Sequence, residues 1–178
     1  MRGARGSIAV MAAVVLYVVM LLGVVAWAGI QQGADHALVG RLVGNAAYDA
    51  SLRTNDTALV TGTPALACLD TSCAPAPCPQ ALARDPHATT APGQACQSLR
   101  QGLDQAYGGA NSRLDVAATL AATRVWVLAP GDRDPEDSGR VYHYPTVCVS
   151  TDAIIGVLAR GGLGFSHHFH ACGQAVYR

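Results

Sequence analysis

Residues 8–30 form 23 consecutive positions with no charge, no proline and no strongly polar side chain. As a helix rising about 1.5 Å per residue, the run spans roughly 35 Å, enough to cross a hydrocarbon core about 30 Å thick with some tilt. Beyond it the pattern turns amphipathic. Leu38, Leu42, Ala46 and Ala50 recur at four-residue spacing beside Arg41, Asn45 and Asp49, which predicts that a helix extends over 31–53 and stops between Leu52 and Asn55. Periodicity then disappears: 54–92 is rich in Pro, Gly and Thr and reads as a long loop. Residues 94–106 read as a short helix with Cys96, Leu99, Leu103 and Ala106 on one face, ended by Gly108 and Gly109. The last third reads as β-rich: an apolar stretch over 114–129, strongest at Arg124–Leu128, a second strand over 140–150 with Pro145 at an edge or bulge, and a third over 166–177. Residues 152–159 read as a short helix or crossing turn. The pattern predicts an α+β chain: a long N-terminal transmembrane helix, then a small antiparallel sheet domain over 54–178 with one or two short helices.

Charge orients the first helix. Arg2 and Arg5 precede the apolar run, so the basic segment 1–7 is expected to stay cytoplasmic and the chain from Gln31 onward to lie outside. Ala26-Trp27-Ala28 also resembles a signal-peptidase site, with cleavage before Gly29. The run is nevertheless longer than the roughly 7–15-residue core of a signal peptide, and Trp27 followed by Gln31 and Gln32 suits a membrane interface. A retained single-pass anchor in the cytoplasmic (inner) membrane is therefore expected. Gly29/Gly33 and Gly40/Gly44 each lie four apart and would let another helix approach one face. The exported part balances ten Arg against twelve acids without clustering cations, which excludes a nucleic-acid footprint.

Six cysteines, Cys68, Cys73, Cys78, Cys96, Cys148 and Cys172, all follow the anchor, as in an extracytoplasmic disulfide framework. Their spacing selects no single connectivity. Cys148 and Cys172 lie in separate strand-like stretches where they can pair across a sheet. The other four then share the loop 68–96, where bridges would pin an otherwise long irregular segment.

Candidate chemistry concentrates in Ser166-His167-His168-Phe169-His170-Ala171-Cys172. On a strand, His168, His170 and Cys172 share one face while His167 and Phe169 share the other. Three such donors could begin a zinc or copper site completed by His143. The simpler reading is a polar surface strand with Cys172 bonded to Cys148, and the two exclude each other because a disulfide sulfur is not a thiolate. Asp132, Asp134, Glu136 and Asp137 depart from calcium-loop spacing and read as a solvated acidic turn. No Cys-x-x-Cys and no Gly-x-Ser-x-Gly occurs, and Gly161-Gly162-Leu163-Gly164 lacks the context of a phosphate loop. Asn55-Asp56-Thr57 matches the short glycosylation sequon. No catalytic residue, cofactor or small-molecule substrate is expected.

A family resemblance rests on the first fifty residues. Arg5-Gly6-Ser7-Ile8-Ala9-Val10 leading into an apolar helix, followed by Gly40-Arg41-Leu42-Val43-Gly44-Asn45-Ala46-Ala47-Tyr48-Asp49-Ala50, resembles TadE/TadG-like proteins of tight-adherence (Flp) pilus systems. The ending Gln174-Ala175-Val176-Tyr177-Arg178 is similar to a short TadE-type tail. The resemblance implies a non-enzymatic, pilin-like membrane component of pilus assembly or secretion, with other pilin-like or machinery proteins as partners. It implies Gly6/Ser7 as a possible processing site. Processed pseudopilins carry Glu five residues after the cleaved Gly; Met11 stands there instead. That departure favours a retained assembly factor over a fibre subunit. The alternative function is an anchored binding domain with a metal at the 167–172 cluster.

Overall fold

A computed structural model describes residues 3–53, 66, 75–109, 112–156 and 164–175, with side chains from Val10 onward in the first helix. Helix α1 runs Gly3–Ser51, and the chain divides into two units, Met1–Asp35 and His36–Arg178.

In the first unit every apolar side chain from Val10 to Ile30 stays at the surface; Leu22 is 64% exposed and Ile30 is 69% exposed. So large an unpartnered apolar surface is unfavourable in water and marks a membrane or protein interface. By length and composition, with a mean hydropathy of 2.6 in its most apolar stretch, this helix is able to cross a membrane.

In the second unit the helical stretch from His36 ends at Ser51, whose hydroxyl donates to the Tyr48 carbonyl at 2.7 Å. The expected stop is thus met within a residue. Val39, Val43, Ala46, Ala47 and Ala50 are all fully buried. Their spacing of three and four draws one helical stripe against the core. The remaining elements are β1 (Ala76–Pro77), α2 (Cys78–Arg84), α3 (Ala91–Tyr107), α4 (Val116–Ala122), β2 (Arg124–Leu128), β3 (Thr146–Gly156) and β4 (Gly164–Gln174). The four strands form one antiparallel sheet in the order β1-β2-β3-β4, so the expected α+β plan holds. Val125, Val147, Val149, Ala153, Ile155 and Phe169 from the sheet join the α1 stripe and Ala95, Leu99 and Leu103 of α3 in one core.

The close approaches differ from those suggested by the glycine pairs. Helices α1 and α3 meet where Leu42 lies over Gly102; a Cβ there would come within 2.6 Å of the leucine. Gly40 faces the Phe169 ring of β4, whereas Gly29, Gly33 and Gly44 have nothing within 4 Å. Gly173 of β4 lies against the backbone of Ala47, so a side chain there would meet the helix itself.

Three expected boundaries are corrected. The stretch 114–129 is not one strand but α4 followed by β2. The Asp115 carboxylate accepts from the Ala118 amide at 2.9 Å and starts the helix, and four alanines then favour helix over strand. The second strand begins at Thr146 rather than at 140, because Pro145 has no N–H to give to a ladder. Residues 152–156 continue β3 instead of turning into a helix, with Ile154 and Ile155 opposite Ser166 and Phe165. Part of the expected loop is also ordered: β1 and α2 occupy Ala76–Arg84. Asp85 then closes on α3, accepting at 2.7 Å from both the amide and the hydroxyl of Thr90, its N-cap.

Two disulfides lie among the described residues. Cys78–Cys96 ties the start of α2 to α3, and Cys148–Cys172 joins residues directly opposed on β3 and β4, with Cα atoms 4.1 Å apart. The expected cross-sheet pair is formed. Cys68, Cys73, Asn55 and the glycines at 161 and 162 lie outside the described residues.

Candidate functional site

The period-two alternation of β4 separates its histidines as expected. Phe169 and His167 turn toward the helices, their rings 4.8 and 5.0 Å from that of His36. His168, His170 and Cys172 turn to the opposite face, and there the segment 129–145 closes over them.

That segment builds its own shape. Gly131 adopts φ +95°, a conformation that favours glycine, and its amide donates to the Tyr142 carbonyl at 2.8 Å. The Asp134 amide donates to the Arg140 carbonyl, and the Asp134 carboxylate accepts from the amides of Glu136 and Asp137. The hydroxyl of Tyr142, itself buried, donates to the other Asp134 oxygen at 2.6 Å. The acidic turn is therefore not simply solvated: the Asp134 side chain is 1% exposed. Burial pushes its pKa up, but the Tyr142 hydroxyl, the loop amides and His170 outweigh burial and hold it down at about 2. Burial and the adjacent carboxylate together push the Tyr142 phenol up to about 12.

Glu136 and Asp134 bring the two histidines into one network. His170 sits between them, Nε2 lying 3.0 Å from an Asp134 oxygen and Nδ1 3.2 Å from Glu136 Oε2. The second approach is at ion-pair distance but is not aligned as a hydrogen bond, so Nδ1 is buried without one. His168 lies between Glu136 at 2.7 Å and Asp152 at 2.8 Å, through opposite ring nitrogens. Hydrogen bonding to Glu136, then to Asp152, raises its pKa against a smaller opposing effect of burial. Burial likewise opposes the lowering of Glu136, which His168 and Ser150 bring about. Beneath this network lies the Cys148–Cys172 bridge. Cys172 Sγ is 3.3 Å from His170 Nε2 and 3.6 Å from Asp134 Oδ2, and Cys148 Sγ is 4.0 Å from the Tyr142 oxygen.

Of the four residues considered for a metal, the structure thus gathers His168, His170 and Cys172 on one face. His143 lies exposed in the covering segment, and Asp134 and Glu136 meet the histidines in its place. With Cys172 bonded to Cys148, neither sulfur is a thiolate ligand in this state. Sequence reasoning missed Asp134, Glu136 and Tyr142 as partners of the strand. The available signal was Asp134-Pro135-Glu136-Asp137, a stretch in which a short carboxylate can accept from the next amides and fold inward. A separate open groove of about 870 Å³ lies between α4, the end of α3 and the β3–β4 hairpin, lined in part by Asp104, Asp115, Asp152 and Ile154. Gly6, Ser7, Ala28 and Gly29 lie within α1. No protein-family model, no curated protein and no solved structure matches this chain.

Proposed function

We propose that the chain is a non-enzymatic, pilin-like component of a pilus-assembly or secretion apparatus, of the TadE/TadG-like kind that its first fifty residues resemble. In this reading residues 8–30 anchor it in the cytoplasmic membrane with the N-terminus inside, and the His36–Arg178 unit stands outside as a binding head for other envelope proteins. One observation carries the reading. A single helix supplies both an apolar surface left wholly uncovered and, in its last four turns, the buried stripe of a disulfide-stapled antiparallel domain. A helix committed at one end to a head and exposed at the other is suited to packing beside helices of the same kind in a bilayer. Two further features support it: both bridges suit an oxidising compartment, and Met11 leaves the anchor without the carboxylate of processed subunits.

Membrane-embedded photo-crosslinking from positions 14, 18 and 25 in the native cell is the test. Cross-links to other single-helix pilin-like proteins or to a polytopic platform protein are expected. Cross-links to lipid alone would remove the assembly role, and recovery of the chain in the soluble fraction after alkaline extraction would remove the anchor.

A further inference from the structure

Four donor groups converge beneath the covering segment: the carboxylate of Asp134, the imidazole of His170 and the sulfurs of Cys148 and Cys172, with ligand atoms all within 4.8 Å of one another. Metal–sulfur distances of about 2.3 Å and metal–nitrogen or –oxygen distances of about 2.0–2.2 Å put the donor–donor edges of a tetrahedral zinc site at roughly 3.3–3.8 Å. Here His170 Nε2 lies 3.2 Å from Asp134 Oδ2, Cys172 Sγ 3.3 Å from His170 Nε2, and Cys172 Sγ 3.6 Å from Asp134 Oδ2. The covalent bond between the sulfurs is far shorter than such an edge, and reduction breaks that bond.

We infer that Cys148, Cys172, His170 and Asp134 form a redox-gated site for a borderline-soft divalent cation of the zinc class, closed as a disulfide and opened as two thiolates. A dithiol reductant exchanges with the bridge: its two thiols become a disulfide while Cys148 and Cys172 each gain a proton. The cation then displaces both protons and takes two thiolates, one carboxylate and one neutral imidazole, a tetrahedral set typical of zinc. The surroundings match what holds such ligands in place. Tyr142 and two loop amides fix the Asp134 carboxylate. The Glu136 carboxylate lies beside His170 Nδ1, the position of the acid in a carboxylate–histidine–metal arrangement, leaving Nε2 to face the ion. Cys148 is fully buried and Asp134 nearly so, which shields the site from water. His170, Asp134, Glu136 and both cysteines thereby become one device rather than a polar surface strand.

Cobalt(II) is the probe, because thiolate coordination gives it a near-ultraviolet charge-transfer band and tetrahedral geometry an intense visible one. The full-length chain in detergent is titrated anaerobically, first oxidised and then after reduction with a phosphine. One equivalent bound with both bands is expected in the reduced protein and none in the oxidised. Reduction also opens Cys78–Cys96, so Cys148→Ser with Cys172→Ser is titrated alongside and should lose the bands. Asp134→Asn and His170→Ala retain every cysteine and should weaken binding about tenfold or more. The same affinity in the double serine variant would assign the cation to other cysteines. Unchanged affinity in Asp134→Asn and His170→Ala, whether the reduced chain is folded or not, would reduce the result to unspecific thiol binding. Either outcome, or no cobalt binding after reduction, overturns the site.

Discussion

Asp85 shows how one side chain can govern a junction. It follows α2, is 5% exposed, and accepts from the Thr90 amide, the Thr90 hydroxyl and the Thr89 hydroxyl. Burial alone would push its pKa up, yet these hydrogen bonds outweigh burial and hold it below the usual carboxylate value. Because the folded value is the lower one, its stabilising contribution is complete above the ordinary Asp range and is lost as pH falls through the folded value. Asp85→Asn is expected to cost about 1–3 kcal/mol at neutral pH, since the amide nitrogen cannot accept and buried donors lose a partner. Urea unfolding at neutral pH and near pH 3 checks this: the gap between wild type and variant should narrow on acidification, and a constant gap would deny Asp85 the role. Gly93 belongs to the same junction, since a Cβ there would run into the Asp85 carboxylate.

Element packing rests on where small residues fall. Gly173 allows β4 to lie against the backbone of α1, while Gly44, on the same helix, faces open space. Opposite outcomes follow. Gly173→Ala forces strand and helix apart and should destabilise by about 1–3 kcal/mol. Gly44→Ala adds a helix-favouring residue without a clash and should stabilise the isolated chain by roughly 0.5–1 kcal/mol. Thermal melts of the two variants decide the matter, and loss of stability in both would mean that the α1 stripe is seated differently. The bridge between α2 and α3 acts at the same scale. Replacing Cys78 and Cys96 by Ser should cost about 2–4 kcal/mol, read by urea unfolding, with Cys148–Cys172 still formed by non-reducing peptide mapping. Part of this arrangement was legible beforehand. The faces of β4 follow from alternation, but four-residue spacing set Leu38 and Leu42 beside Ala46 and Ala50, whereas the folded helix buries Val39 and Val43, leaves Leu38 exposed and covers Leu42 only in part. The identity of 116–122 was not legible, because a short alanine-rich apolar run suits a buried helix and a buried strand alike, and only the Asp115 cap separates them.

For the molecule as a whole, the decisive surface is the exposed apolar helix, long and apolar enough to cross a membrane. Leu22→Arg places a charge near the middle of the run at a cost of about 2.5–3.5 kcal/mol for insertion. The expected outcome is a measurable shift of the chain from the membrane pellet to the soluble or degraded fraction, with both head disulfides unaffected. Unchanged fractionation would mean that residues 8–30 do not anchor the chain.

The apolar run, the arginines before it and the cysteines after it were determined by sequence alone, because each depends on composition along a contiguous stretch. The pairing of Cys148 with Cys172 was one of several that the spacing allowed, and the β3–β4 register decided it. Tertiary structure alone decided which groups meet the histidines. Asp134, Glu136 and Tyr142 lie far from 168–172 along the chain, and they reach it only because a glycine with positive φ and an inward-folded aspartate turn the covering segment back over the sheet. Spacing in sequence does not encode such an approach; the hydrogen bonds that close the segment do.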